Sequence, residues 1–170
     1  KNKVFGPLEN DLIHLLTSWF NRGFLQFERI DWNTPAVILE KLIAHEAVHE
    51  IKGWPDLRRR LAEDRRCFAF FHPALHNDPL IFVEVAFSKG VASNIEPLLS
   101  LRKTGRNSPQ PDTAIFYSIS NCQDGLKGIS FGNFLIKQVV DSINHEMPHI
   151  KNYCTLSPIP NFLKWLNKDY

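Results

Sequence analysis

The sequence has no apolar run near the roughly 18 residues that span a bilayer, so it offers no transmembrane helix. Its first residues, Lys1 to Pro7, lead into no secretory hydrophobic segment. Cysteine is sparse: Cys67, Cys122 and Cys154 lie far apart, with no C-x-x-C pair. An odd count without spacing argues for a reducing compartment, and against a disulfide framework or a thiolate zinc site. Charge of one sign is lacking too. Twenty basic against 18 acidic residues leave a net charge of +2 and no electrostatic footprint for nucleic acid. No internal repeat is visible. What is there is 44% apolar and 22% charged residues in 170, which supports one buried core and excludes wholesale disorder. The chain starts without Met and stops at Asp169-Tyr170, and is expected to be part of a longer protein.

The first third reads as helical. Leu8, Leu12, Leu15, Leu16, Trp19 and Phe20 recur at the spacing of an amphipathic helix, with Gly23 as its stop. Phe24 to Ile30 is a strand or an extended link. Thr34 as N-cap and Pro35 at the first helical position open a second helix, and Trp54-Pro55-Asp56 a third, with Arg58, Arg59 and Arg60. From Arg66 the composition turns aromatic and β-branched. Cys67–Phe71 and Pro79–Phe87 read as neighbouring strands, and Thr113–Ser120 as another. Leu101 to Asp112 is a polar surface loop. Phe131 to Met147 is a helix on a four-residue apolar repeat, closed by Pro148. Ile150 to Leu156 is a last strand, and Phe162 begins a final helix. The second half is thus a strand–loop–helix–strand unit added to a sheet, an α/β or α+β domain.

Four features carry possible chemistry. His45-Glu46-Ala47-Val48-His49 matches H-E-x-x-H, in which two histidines on one helix face hold zinc and the glutamate is general base. The extended form fails, since Lys52 stands where Gly is required; the plain reading is a solvated helix end. Arg58–Arg60 with Arg65 and Arg66 is either a solvated face or a contact for phosphates or an acidic neighbour. The loop Lys127, Gly128, Ile129, Ser130, Phe131, Gly132, Asn133 follows a strand and opens a helix. Unpaired N–H groups there suit a pyrophosphate, although a plain turn explains the glycines equally well. Ser157, before Pro158 and Pro160, ends the last strand. In an open α/β sheet that edge gathers ligands, so Ser157 and the 127–133 loop are expected to be neighbours; alternatively Ser157 caps the final helix.

Thr113-Ala-Ile-Phe-Tyr-Ser-Ile-Ser120, Gln123-x-Gly125-Leu126-x-Gly128, Gly132-x-Phe134-Leu-Ile-Lys137 and Leu156-Ser-Pro-Ile-Pro160-x-Phe162-x-Lys164-Trp-Leu166 together closely resemble the malonyl-CoA decarboxylase family. Trp19-Phe20-x-x-Gly23-Phe24-Leu25, Glu28-Arg29 and Glu46-Ala47-Val48-His49 extend the likeness. The resemblance implies an N-acetyltransferase-like mixed sheet flanked by helices and preceded by a short helical segment. It divides the chain into a helical part at 1–63 and an incomplete CoA-binding core at 64–170. It implies decarboxylation of malonyl-CoA to acetyl-CoA and CO2, with Ser157 as the catalytic serine, no metal and no cofactor beyond the CoA ester. The acetyltransferase pyrophosphate loop reads Arg/Gln-x-x-Gly-x-Gly/Ala; Lys127, Ser130 and Gly132 stand at those spacings, two of them departures. The family's partner histidine lies in a His-x-x-Asn-Gly-Ala segment that this sequence does not contain, and none of its seven histidines takes the role. Remaining expectations are a CoA-binding module without its own turnover as the alternative, a homo-oligomer formed through a helical domain not in this chain, no nucleic-acid or membrane partner, and a cytoplasmic location (mitochondrial matrix or peroxisome in a eukaryote).

Overall fold

The computed structural model describes residues 5–19, 23–101, 109–126, 132–159 and 161–169. In chain order the elements are α1 (Gly6–Trp19), β1 (Gln26–Ile30), α2 (Ala36–His45), α3 (Trp54–Arg60), β2 (Arg65–Phe71), β3 (Pro79–Ser88) and α4 (Glu96–Leu99). Then come β4 (Thr113–Asn121), a 3-10 turn at Asp124–Leu126, α5 (Gly132–Glu146), β5 (Asn152–Thr155) and α6 (Phe162–Asp169). The strands form one mixed sheet in the order β1-β2-β3-β4-β5. The first four run antiparallel to their neighbours, and β5 is parallel to β4. A parallel pair needs a long crossover, and α5 supplies it.

The near-continuous apolar sequences of β2 and β3 follow from burial on both faces. On one face Phe68, Phe70, Val83, Val85, Ala114 and Phe116 pack with Leu135, Val139 and Ile143, the four-residue stripe of α5. On the other, Cys67, Ala69 and Phe82 meet Ile38, Leu39 and Leu42 of α2 and Leu57 of α3. Ala86, Ile115 and Tyr117 continue that second face against Leu98.

Several details differ from the sequence expectation. Phe24–Ile30 resolves into β1, which pairs along its length with β2, so the division at 63/64 falls between strands of one sheet. Thr34 does not cap α2. The cap position is Pro35, with no side-chain bond, because the Thr34 hydroxyl instead accepts the Asp31 N–H at 3.0 Å and closes a turn. Among the described side chains of α1, Leu8, Leu12, Ile13 and Leu15 are exposed rather than in the core, and Leu16 is packed against the sheet. The arginine run is neither a solvated face nor a phosphate contact. Arg59 and Arg60 are buried in ion pairs with Asp64, Asp56 and Glu84, while Arg58 alone lies outside, 4.8 Å over the Trp32 ring.

Candidate active site at the strand fork

The parallel pair is short. Thr113–Phe116 of β4 pair with Asn152–Thr155 of β5, and the last rung is the Leu156 N–H donating to the Phe116 carbonyl at 2.9 Å. Beyond that rung β4 runs on to Asn121, paired on its other side with β3. Ser157, one residue past the rung, is exposed where the two strands part. Both strands deliver their carboxyl ends to this fork. β4 leads through the Asp124–Leu126 turn toward residue 127, and β5 leads to Ser157. Lys127, Gly128, Ile129, Ser130 and Phe131 lie outside the described residues; Gly132 and Asn133 open α5. Ser157 is not the cap of the last helix, which starts at Phe162 after Asn161 in left-handed backbone (φ 63°).

The antiparallel side of β4 carries a bulge at the same level. Glu84 pairs with Ser118 and Val85 with Phe116, so Tyr117 is an extra residue. Two residues then oppose one, and the strand's side-chain alternation shifts. Phe116 and Ile119 face α5, whereas Tyr117 joins Ile115 on the opposite face. Ser118 and Ser120 point there too, to Glu46.

Glu46 and its neighbours are therefore not the metal helix that H-E-x-x-H suggests. The helix stops at His45; Glu46 is its C-cap in extended backbone (ψ 109°), so His49 does not sit one turn above His45. The Glu46 carboxylate is already filled. It accepts the Val48 and His49 N–H groups at 2.8 Å each, the Ser118 hydroxyl at 2.7 Å and the Ser120 hydroxyl at 3.2 Å. Ser120 in turn accepts the Ala47 N–H at 3.2 Å. Among the described residues no group of three or more His, Cys, Asp or Glu side chains is arranged to hold a metal ion.

Beneath this clamp lies a buried charge network. Arg60 donates to Glu84 at 2.8 Å, to Asp56 at 3.2 Å, and to the carbonyls of His49 and Glu50 at 2.8 and 3.1 Å. Burial pushes the Glu84 carboxyl up to about 7, against the pull of Arg60. Burial likewise lowers His49, with Glu46 opposing. The His49 ring is 6.4 Å from the Tyr117 ring, and its Nε2 is shielded from solvent with no hydrogen-bond partner among the described residues. The sequence reading missed Tyr117, Ser118, Ser120 and the true role of Glu46. No local signal marks the bulge: Ser118 and Ser120 share their face with Ile115 and Tyr117, which are as buried as Phe116.

The mixed sheet with its crossover helix is acetyltransferase-like in fold. The structure of an aminoglycoside acetyltransferase from an uncultured soil metagenomic sample covers 87% of this chain at a TM-score of 0.52 and 12% identity, a likeness of fold. The family is narrower than the fold. Residues 23–170 match the model of the malonyl-CoA decarboxylase C-terminal domain, and the chain belongs to that family. It is 41% identical over 166 residues to a mitochondrial malonyl-CoA decarboxylase of Anser anser anser, covering 96% of this chain and 32% of the relative. The crystal structure of malonyl-CoA decarboxylase from Agrobacterium vitis matches 99% of this chain and 42% of its own, with 56% identity and a TM-score of 0.89. The chain thus spans about a third to two fifths of these relatives.

Proposed function

We propose that the protein, in its complete form, decarboxylates malonyl-CoA to acetyl-CoA and CO2, and that this chain provides the CoA-binding side of the site. The observation that carries the reading is the fork itself: an exposed serine stands where two parallel strands part, at the sheet end where the β4–α5 connection also emerges. Lys127, Gly128, Ile129, Ser130, Phe131, Gly132 and Asn133 would hold the pyrophosphate, chiefly through N–H groups at the start of α5. The pantetheine arm would enter between β4 and β5 and bring the thioester to Ser157.

Loss of CO2 leaves an enolate. The site must hold the carboxylate out of the thioester plane, stabilise the oxyanion and return a proton to carbon. Ser157 would take part in that proton traffic with the family's histidine, whose segment is not in this sequence. General acid–base help of this kind is worth roughly 10²–10⁴-fold. In the complete protein, Ser157→Ala is expected to lower kcat by that factor while the dissociation constant for CoA stays within about twofold. Turnover near the wild-type level would overturn the assignment of Ser157.

A second reading is a CoA-binding module without turnover of its own. Assaying malonyl-CoA turnover by residues 1–170 and by the complete protein, side by side, separates the two. Among the described residues no helix is long and apolar enough to cross a membrane. We propose a cytoplasmic location, or the mitochondrial matrix or peroxisome in a eukaryote; the Anser anser anser relative is mitochondrial.

A further inference from the structure

The clamp around Glu46 does more than close a loop. It fixes residues 46–49 to β4 through Ser118 and Ser120, and Arg60 grips the His49 carbonyl at 2.8 Å from below. What it presents is the imidazole of His49, half-buried beside Tyr117. Tyr117 is both the bulge residue of β4 and the first residue past the last β4–β5 rung. His49 is therefore held at the root of the fork, on the face opposite α5.

A malonyl thioester differs from an acetyl one by a terminal carboxylate. Taking that group out of water requires a hydrogen-bond donor in the site. The charged groups around His49 are committed elsewhere. Glu46 is filled by backbone and serine donors. Arg60 is bound to Glu84, Asp56 and two carbonyls. Arg65 reaches Asp64 and the Leu98 carbonyl, away from the fork. The Tyr117 hydroxyl is buried with no hydrogen-bond partner among the described residues, within the electrostatic reach of Glu84, Arg60 and Arg65. The Nε2 of His49 also has no hydrogen-bond partner among the described residues, and of the unpartnered groups here it is the one on the clamped 46–49 loop; it can donate as the Nε2–H tautomer or as imidazolium.

We infer that His49 meets the acyl end of the thioester and hydrogen-bonds its terminal carboxylate, making it a residue that selects a dicarboxylic over a monocarboxylic acyl-CoA; this rests on the decarboxylase reading above. Glu46, acting through the loop, is its positioning residue. The test compares wild type, His49→Phe and His49→Gln in the complete protein. It reads kcat and KM for malonyl-CoA, and the inhibition constants of CoA and acetyl-CoA. His49→Phe is expected to lose roughly ten- to a hundredfold in kcat/KM, the range for a hydrogen bond to a charged group. The two inhibition constants should stay within about twofold. His49→Gln, which keeps a donor near the Nε2 position, should recover most of the loss. Arg60 holds only the carbonyl of His49, which both substitutions keep. Unchanged inhibition by CoA certifies the fold, and His49→Ala replaces the Phe variant if that one does not fold. An unchanged kcat/KM for malonyl-CoA, equal loss in Phe and Gln variants, or a parallel rise in the CoA inhibition constant would overturn the inference while leaving the decarboxylase reading intact. A wild-type protein that does not turn over malonyl-CoA would remove that reading instead, and this inference with it.

Discussion

The two faces of the sheet are built on different physics. Toward α5 the contact is apolar throughout: Phe68, Phe70, Val85 and Phe116 against Leu135, Val139 and Ile143. Toward α2 and α3 a comparable apolar layer is interrupted by Glu46, Arg60, Glu84, Ser118 and Ser120, all tied into hydrogen bonds. An apolar face gives stability in proportion to the area it removes from water. A buried polar network gives little net stability for its desolvation cost, and is costly when broken. The second face is the one beside the fork, so the polar groups are spent where a ligand would be received.

Three substitutions sharpen that contrast. The largest effect is expected from Arg60→Ala, which leaves Glu84 buried without its cation; roughly 3–5 kcal/mol is the usual loss. The loss should depend on pH. A carboxyl raised to about 7 against 4.5 when unfolded contributes stability that is present below 4.5 and lost as pH rises through 7. Removing Arg60 raises it further, so the variant should lose more at pH 8 than at pH 5. Denaturant unfolding at both values checks this, and equal losses would show that Glu84 does not titrate there. Next comes Ile143→Ala on the α5 face, with about 2–5 kcal/mol from lost transfer and a cavity, the same at both pH values. A pH-dependent loss there would erase the distinction between the faces. The smallest is Ser118→Ala. It removes one donor from Glu46 and should cost roughly 1–3 kcal/mol. It should also reduce kcat/KM for malonyl-CoA if the loop positions His49; a purely structural clamp would change the melting temperature alone.

Much of the α5 side could be read from sequence because periodicity alone specifies it. The Thr113–Ser120 strand and the Phe131–Met147 helix were anticipated within a residue or two of β4 and α5, since each has one apolar phase and one packing partner. The polar side was harder to read. H-E-x-x-H fixes three residue types but says nothing about where a helix ends, and here it ends inside the motif. The arginine run was left open although Asp56 and Asp64 stand within five residues of Arg60 and Arg59; the burial itself comes with Glu84 on β3, which only tertiary packing brings to Arg60. The α1 stripe was read correctly as amphipathic, yet periodicity does not name what lies opposite it, and its apolar side is exposed in this chain. Of the site, Ser157 at the end of β5 followed from Pro158 and the resemblance. The bulge at Tyr117 did not, because both faces of β4 carry buried apolar residues.

That one extra residue constrains how β4 can change length over time. Because Val85 pairs with Phe116 and Glu84 with Ser118, a single-codon deletion at Tyr117 would close the bulge and leave Ser118, Ile119 and Ser120 on their present faces, whereas a residue gained between Ser118 and Asn121 would send those beyond it to the opposite face. Descendants of this chain can thus lose the bulge without turning the strand, at the cost of the Tyr117 ring beside His49, whereas gains belong in the turn after Asn121 rather than within 118–121.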